Sequence, residues 1–274
     1  MDAFRHVVGQ PSADVLDAAA AGALPWGVYW SSLLAVLVLA PTAAARAQSV
    51  RAGVVGVSHG TVWSVMPVLV MLAGERGALW GLLAVTQVAC LVLAVTGGGG
   101  AEKGCPGGRG REATLACAWH LMASQLFYAG GHRCAFDGLH FACAFTGFKH
   151  FNFYVMGVLL ATNTWGGDIV ACATLPAAAA AMVARRAAVV DDDAAFPPAF
   201  RASLARLALG YSLLRTVGLV VSTAFVAAMR RHLMVWAIFA PKFAFEACGM
   251  CVSELLLVLG VVSGLRAANK EKKE

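Results

Sequence analysis

Long apolar runs, separated by short polar or glycine-rich stretches, constrain the fold of this sequence more than any other feature. An α-helix needs about 20 predominantly apolar residues to cross the roughly 30 Å hydrocarbon core of a bilayer. Charged residues make up only 13% of the 274 residues, about half the share usual in soluble domains. The sequence therefore predicts an all-α fold, a polytopic transmembrane helix bundle of about eight spans with broken or re-entrant segments. The predicted spans are Gly27–Ala45, Gly53–Ala73, Ala78–Thr96, Thr114–Ala129, about Phe151–Thr162, Ile169–Ala184, Leu204–Met229 and Phe243–Leu265.

Polar segments at both ends divide the chain into three parts. We predict a polar N-terminal segment over residues 1–26, a transmembrane helical domain over residues 27–265 and a charged tail over residues 266–274. The tail ends in KEKKE, which places Lys270 and Lys272 in the KxKxx pattern of retrieval to the endoplasmic reticulum. A basic tail after a final span also follows the preference for positive charge on the cytosolic side. We therefore expect a multi-pass protein of the endoplasmic reticulum membrane with a cytosolic C-terminus.

The net charge of +6 does not indicate a nucleic-acid partner, because the basic residues lie at the ends of apolar runs. The sequence contains no GxSxG, HExxH or Walker motif. We therefore predict no catalytic residue, no metal site and no nucleic-acid partner within this chain.

The first polar cluster follows the fourth apolar run and begins with Gly130 and Gly131. Two glycines allow the backbone to turn tightly and to approach a ligand. His132, Arg133 and Asp137 are candidates to recognise a phosphate or the amine of a lipid head group. The alternative, which the spacing alone favours, is an interfacial loop held by a hydrogen bond between histidine and aspartate.

The second cluster, NTWGGD over residues 163–168, interrupts an apolar run. A broken helix persists in a membrane only where protein or water satisfies its free backbone groups, and such breaks often form binding sites. Asn163 and Asp168 are therefore candidate binding residues. A short interfacial loop with Trp165 as its aromatic anchor explains the pattern equally well.

The third cluster combines basic and aromatic residues at a predicted membrane boundary. Its candidate binding residues are Arg230, Arg231, His232, Trp236, Lys242 and Glu246. The two arginines suit a phosphate-bearing lipid head group, and Lys242 and Glu246 lie four residues apart on one helix face, where they can pair. The alternative is ordinary snorkelling of basic side chains next to an aromatic belt.

Three segments resemble conserved blocks of the GPI ethanolamine phosphate transferase family, in the same order and with similar spacing. They are FYAGGHRCAFDGLHFACAFTGF (127–148), GVLLATNTWGGDIV (157–170) and RRHLMVWAIFAPKFAFEACG (230–249). The third segment most closely resembles the subfamily that acts on the third mannose, the PIG-O type. Gly130, Arg133 and Trp165–Gly167 depart from the residues that the family has at those positions.

The resemblance implies an enzyme of the endoplasmic reticulum that moves phosphoethanolamine from phosphatidylethanolamine onto a mannosylated GPI precursor. In the family, this chemistry belongs to a lumenal, zinc-dependent domain like alkaline phosphatase, which precedes the membrane region. We expect the present chain to correspond to the membrane portion, so that zinc is expected in the catalytic domain and no cofactor in this chain. The implied partners are membrane lipids, the GPI precursor and a small membrane subunit of the PIG-F type.

Two other classes of function remain open on the sequence alone. One is a small polytopic transporter, although no inverted repeat is evident. The other is a non-catalytic membrane assembly factor. Whether the chain takes part in catalysis is likewise left open, since a transferase activity would require the catalytic domain.

Overall fold

The computed structural model describes residues 25–35, 37–38, 50–97, 108–135, 138–148, 152–187, 196–231 and 239–269. All regular structure in these ranges is helical, which confirms the predicted all-α class. The helices are α1 (25–35), α2 (Val50–Leu72), α3 (Gly77–Gly97), α4 (Gly108–Ala129), α5 (Phe153–Thr164), α6 (Gly166–Ala187), α7 (Phe196–Met229) and α8 (Ala240–Asn269).

Polar and glycine-containing breaks set most helix boundaries. Gly74–Arg76 forms a single 3-10 turn between α2 and α3. The Asn152 side chain accepts hydrogen bonds from the backbone N–H groups of Tyr154 and Val155, at 3.1 and 3.2 Å, and so caps the start of α5. Trp165 separates α5 from α6, where the sequence predicted a broken helix.

Four helical stretches in the described part of the chain are long and apolar enough to cross a membrane. They are Gly74–Val95, Gly166–Ala184, Pro198–Met229 and Ala240–Val262. Two shorter apolar stretches, Ser58–Leu72 and Phe153–Thr164, accompany them. The described part of the chain is therefore that of an all-helical membrane protein, with four candidate spans.

Helix α6 forms the centre of the bundle. Within its apolar window 78% of the residues are buried, against 11% in the window of α7 and 17% in that of α8. The buried side chains of α6 are mostly small, including Ala171, Ala178, Ala179 and Ala180. Small residues let membrane helices approach closely, so the alanine-rich sequence of α6 explains why the other helices gather around it.

Two hydrogen bonds connect α1 to residues 146–147, in the segment between α4 and α5. The indole Nε1 of Trp26 donates to the carbonyl oxygen of Gly147 at 3.1 Å, and the Tyr29 hydroxyl donates to that of Thr146 at 3.0 Å. Trp and Tyr are typical anchors at a membrane interface because one end of the side chain is apolar and the other polar. These two bonds fix residues 146–147 against α1.

Candidate functional site

One buried carboxylate joins three helices at the first turn of α6. Asp168 is 3% exposed, and its Oδ1 accepts hydrogen bonds from the Tyr211 hydroxyl at 2.6 Å and from Ser253 Oγ at 3.1 Å. Arg215 Nη2 donates to the same oxygen and forms an ion pair with it. Because a charge within a membrane span is expensive unless it is paired, these contacts explain how Asp168 is tolerated there.

Arg215 connects Asp168 to a second carboxylate. Its Nη1 lies 3.8 Å from Glu246 Oε2 on α8, and its buried Nε finds no hydrogen-bond partner among the described residues. Asp168, Arg215 and Glu246 are called the charged triad below. With both carboxylates ionised, the triad carries one positive and two negative charges.

A cavity of about 60 Å³ opens beside the charged triad. All three triad residues line it, together with aromatic side chains from α4, the α5–α6 junction and α8. The aromatic residues are Phe127, Tyr128, Trp165 and Phe245. A small site with charged and aromatic walls has the chemistry to bind a polar or ionic group at the end of a lipid.

Glycines let the helices meet closely at this site. A Cβ atom added at Gly167 would lie 2.6 Å from the carbonyl oxygen of Ala123 on α4. A Cβ atom added at Gly249 would lie 2.9 Å from Nε1 of Trp165. The absence of side chains at Gly167 and Gly249 therefore brings α4, α6 and α8 within reach of the same cavity.

The first predicted cluster is built into the loop after α4. His132 is 2% exposed, its Nδ1 accepts from the His140 backbone N–H at 3.4 Å, and its ring packs on Phe127. Burial lowers the pKa of His132 to about 4. The charges of His140 and Arg76 also lower this pKa, whereas a hydrogen bond with the backbone of Asn163 raises it. His132 is therefore neutral at neutral pH.

The other members of the first cluster are placed differently. Arg133 is exposed, and Asp137 lies outside the described residues.

Asn163, from the second cluster, is buried in the last turn of α5. Burial raises the pKa of the Cys143 thiol to about 11, an effect that the Asn163 side chain beside it opposes.

The third predicted cluster is only partly described. Arg230 and Arg231 are exposed at the turn that follows α7, whereas His232 and Trp236 lie outside the described residues. Lys242 is exposed near the start of α8. Glu246 approaches Arg215 on α7, so that Arg215 joins the second and third predicted clusters.

Sequence reasoning missed the residues on α7 that complete this site. Arg215 lies in the middle of an apolar run, and a charged residue in such a position is by itself a signal of function. Tyr211 lies four residues earlier and therefore on the same helix face. Together with Ser253, these residues supply the donors to Asp168.

Comparison with known proteins shows that the residues of this site lie in a segment that matches a protein family. Residues 106–270 match the family described as the GPI ethanolamine phosphate transferase membrane region. The chain is 29% identical over 178 residues to the catalytic subunit of GPI ethanolamine phosphate transferase 3 from Homo sapiens, covering 54% of this chain and 16% of the human protein. It is 28% identical over 181 residues to the protein of that name from Mus musculus, covering 54% of this chain and 17% of the mouse protein. No solved structure matches the chain significantly.

The match therefore spans less than a fifth of the length of either relative. The family match over residues 106–270 covers more than half of the present chain and includes all of the charged triad. The chain belongs to the family of GPI ethanolamine phosphate transferase membrane regions.

Proposed function

We propose that this chain is the membrane portion of a phosphoethanolamine transferase of GPI-anchor biosynthesis, and that it holds lipid substrates. The substrates would be phosphatidylethanolamine and the mannosylated GPI precursor. The observation that carries the proposal is the charged triad beside a cavity, within the matched region 106–270. Ionisable residues inside membrane spans generally mark a substrate or ion site.

The family resemblance implies zinc chemistry in a separate catalytic domain. Among the described residues, no three His, Cys, Asp or Glu side chains are arranged to hold a metal ion. On the basis of that resemblance, we propose that the reaction belongs to such a catalytic domain. The present chain would position the lipids for that domain.

The proposed orientation places the C-terminus in the cytosol, in a bundle of about eight spans in the endoplasmic reticulum membrane. Helices α6 and α8 run in the same direction, because Trp165 lies beside Gly249 and Cys172 beside Gly260. The arginine pair at the end of α6 (185–186) and the basic tail therefore emerge on one side, which the positive-inside rule assigns to the cytosol.

This orientation predicts that an N-glycosylation acceptor appended after Glu274 stays unmodified in microsomes. The same acceptor in the loop 130–140 provides the matched control, because that loop lies at the opposite end of the bundle. The measurement is the shift in gel mobility that endoglycosidase reverses. Modification after Glu274 would contradict the proposed orientation.

We also propose that the bundle docks a small membrane subunit of the PIG-F type. The support is the family resemblance, together with a row of exposed apolar side chains on α7 that includes Leu209, Leu213 and Val217. Copurification of such a subunit with the wild-type chain, but not with a Leu213→Arg variant, would test this docking.

The test of the proposed function is a chimera. Residues 106–270 of this chain replace the matching segment of the human GPI ethanolamine phosphate transferase 3 catalytic subunit, which is expressed in cells that lack it. We expect surface GPI-anchored proteins, measured by flow cytometry, to return to at least about half of the normal amount. The matched control replaces the segment with an unrelated polytopic membrane domain. A chimera of normal abundance that restores nothing would overturn the proposal.

A further inference from the structure

We propose that a groove between α2 and α3 is a separate lipid site, which holds one acyl chain of a phospholipid from the leaflet farther from the charged triad. In the proposed orientation, this is the cytosolic leaflet. Because the groove and the triad occupy opposite halves of the bundle, the bound lipid would be a fixed component of the membrane domain and not a substrate. The inference therefore goes beyond the proposed function and does not depend on it.

The α2–α3 groove has a volume of about 500 Å³ and is enclosed by four helices. Its walls are α2, from Val55 to Met66, and α3, from Val85 to Val95. Its base is formed by Trp119 of α4 and by one threonine and three alanines of α6, between residues 174 and 181. The small side chains of α6 leave the space between the two walls unfilled.

The groove opens sideways, toward the lipid. Apolar side chains from both walls are between 39% and 54% exposed at its opening: Val55, Trp63, Val85 and Val92. Deeper in the groove, Val95, Trp119 and Ala178 are at most 4% exposed. Packed protein interiors contain few voids larger than a water molecule, so an acyl chain from the surrounding bilayer would fill this space.

The polar atoms at the base of the groove already have partners within the protein. The indole Nε1 of Trp119 donates to Thr174 Oγ1 at 2.8 Å, and the Thr174 hydroxyl donates to the carbonyl oxygen of Val170 at 2.9 Å. A ligand without polar groups therefore leaves none of these atoms unsatisfied. The chemistry of the base suits a hydrocarbon chain.

The dimensions of the groove match one acyl chain within one leaflet. Its length along α3, from Val85 to Val95, is about 15 Å at a rise of 1.5 Å per residue, which is about half of the roughly 30 Å hydrocarbon core. A methylene group occupies about the same volume as water, about 30 Å³, so the groove holds roughly 16 such groups. One membrane acyl chain contains about that number, and two chains would not fit.

The position of the groove along the bundle identifies the leaflet. A Cβ atom added at Gly166 would lie 3.1 Å from the side chain of Leu69 and 3.3 Å from that of Trp80. Helix α6 therefore begins beside the turn that connects α2 to α3, at the end of the bundle that holds Asp168. The groove starts at Thr174, about 12 Å farther along α6, and continues toward the other end of that helix.

Basic residues at that other end suit the phosphate of the same lipid. Arg111 Nη2 donates to the carbonyl oxygen of Val95 at 2.9 Å, which places a guanidinium group beside the end of the groove. The arginine pair 185–186 lies in the last turn of α6. Arginine suits phosphate recognition, and basic residues next to a span attract anionic groups of lipids. The charges therefore favour a phospholipid whose head group lies at this end.

The test is photo-crosslinking in the full 274-residue chain. The chain is reconstituted into phosphatidylcholine vesicles that contain a small amount of phosphatidylcholine with a diazirine in one acyl chain, placed either near the carboxyl end or near the methyl end. Mass spectrometry identifies the labelled residues. We expect the carboxyl-end probe to label the groove near Val95 and Ala181, and the methyl-end probe to label it near Met66 and Thr174.

Two neighbouring residues on α3 provide a matched pair of variants. Ala89 is exposed and lines the groove, whereas Cys90 is exposed and does not line it. Ala89→Phe should reduce labelling inside the groove about tenfold, because the added ring competes with the chain for space, and Cys90→Phe should leave it unchanged. Labelling of Leu213, an exposed residue on α7, measures contact with bulk lipid and should be equal in all variants.

A variant at the base of the groove provides a second test. Ala181→Phe adds the same ring from α6 and should remove labelling by the carboxyl-end probe at that end. Unchanged labelling inside the groove in both Ala89→Phe and Ala181→Phe would overturn the inference.

Three further outcomes contradict parts of the proposal directly. Absence of labelled residues at the base of the groove in the wild-type chain would exclude a bound acyl chain. The reverse order of labelling by the two probes would exclude the assigned leaflet. Labelling of the base by a diazirine sterol, without labelling by the phospholipid, would assign the groove to a sterol and overturn the proposed occupant.

Discussion

Replacing Asp168 by asparagine is expected to destabilise the bundle by about 3–5 kcal/mol, the usual result of removing one partner from a buried ion pair. The amide keeps the size of the side chain but leaves Arg215, which is 9% exposed, without its closest counter-charge. Tyr211 and Ser253 would also lose their ionic acceptor. The measurement is the thermal midpoint of the detergent-solubilised chain, followed by size-exclusion chromatography.

A double variant separates the charge from the packing. Asp168→Leu together with Arg215→Met removes the buried ion pair, so it should be more stable than Asp168→Asn alone. The double variant leaves only Glu246 without its cation, and that side chain is 23% exposed and can be hydrated, whereas Asp168→Asn leaves the more deeply buried Arg215 without its closest counter-charge. Glu254→Gln provides the control, since it makes the same change from carboxylate to amide outside the triad. If Asp168→Asn and Glu254→Gln had the same thermal midpoint, the ion pair would not stabilise the bundle.

Local patterns in the sequence were sufficient to predict the helical class and several helix boundaries. The predicted span Gly53–Ala73 corresponds to α2, Val50–Leu72, and the predicted span Ala78–Thr96 to α3, Gly77–Gly97. The break predicted at residues 163–168 occurs at Trp165. These features depend on runs of apolar residues and on the turn residues between them, and both are properties of neighbouring positions.

The site depends on positions that are distant in the sequence. Asp168 and Arg215 are 47 residues apart, and their contact requires a specific rotation of α6 against α7. Helices surrounded by lipid are apolar on most faces, so periodicity gives little information on which face points inward. The four-residue spacing on one helix predicted Lys242 as the partner of Glu246. The cation that the structure places 3.8 Å from Glu246 is Arg215, which belongs to another helix.

The contact between α4 and α6 leads to the second large expected effect. A methyl group added at Gly167 would lie 2.6 Å from the carbonyl oxygen of Ala123 and 2.9 Å from Cβ of Leu126. Both atoms belong to α4 and lie on or next to its backbone, so a side-chain rotation cannot relieve the clash. Gly167→Ala should therefore push α4 and α6 apart and destabilise the chain by about 3 kcal/mol, the upper part of the range for overpacked cores.

Gly157→Ala provides the matched comparison, because no described atom beyond its own helix and chain neighbours lies within 4 Å of a Cβ added there. Alanine is the better helix former, so this variant should be neutral or more stable by up to about 1 kcal/mol. Thermal midpoints of the two variants give the comparison, and equal midpoints would contradict the close approach of α4 and α6.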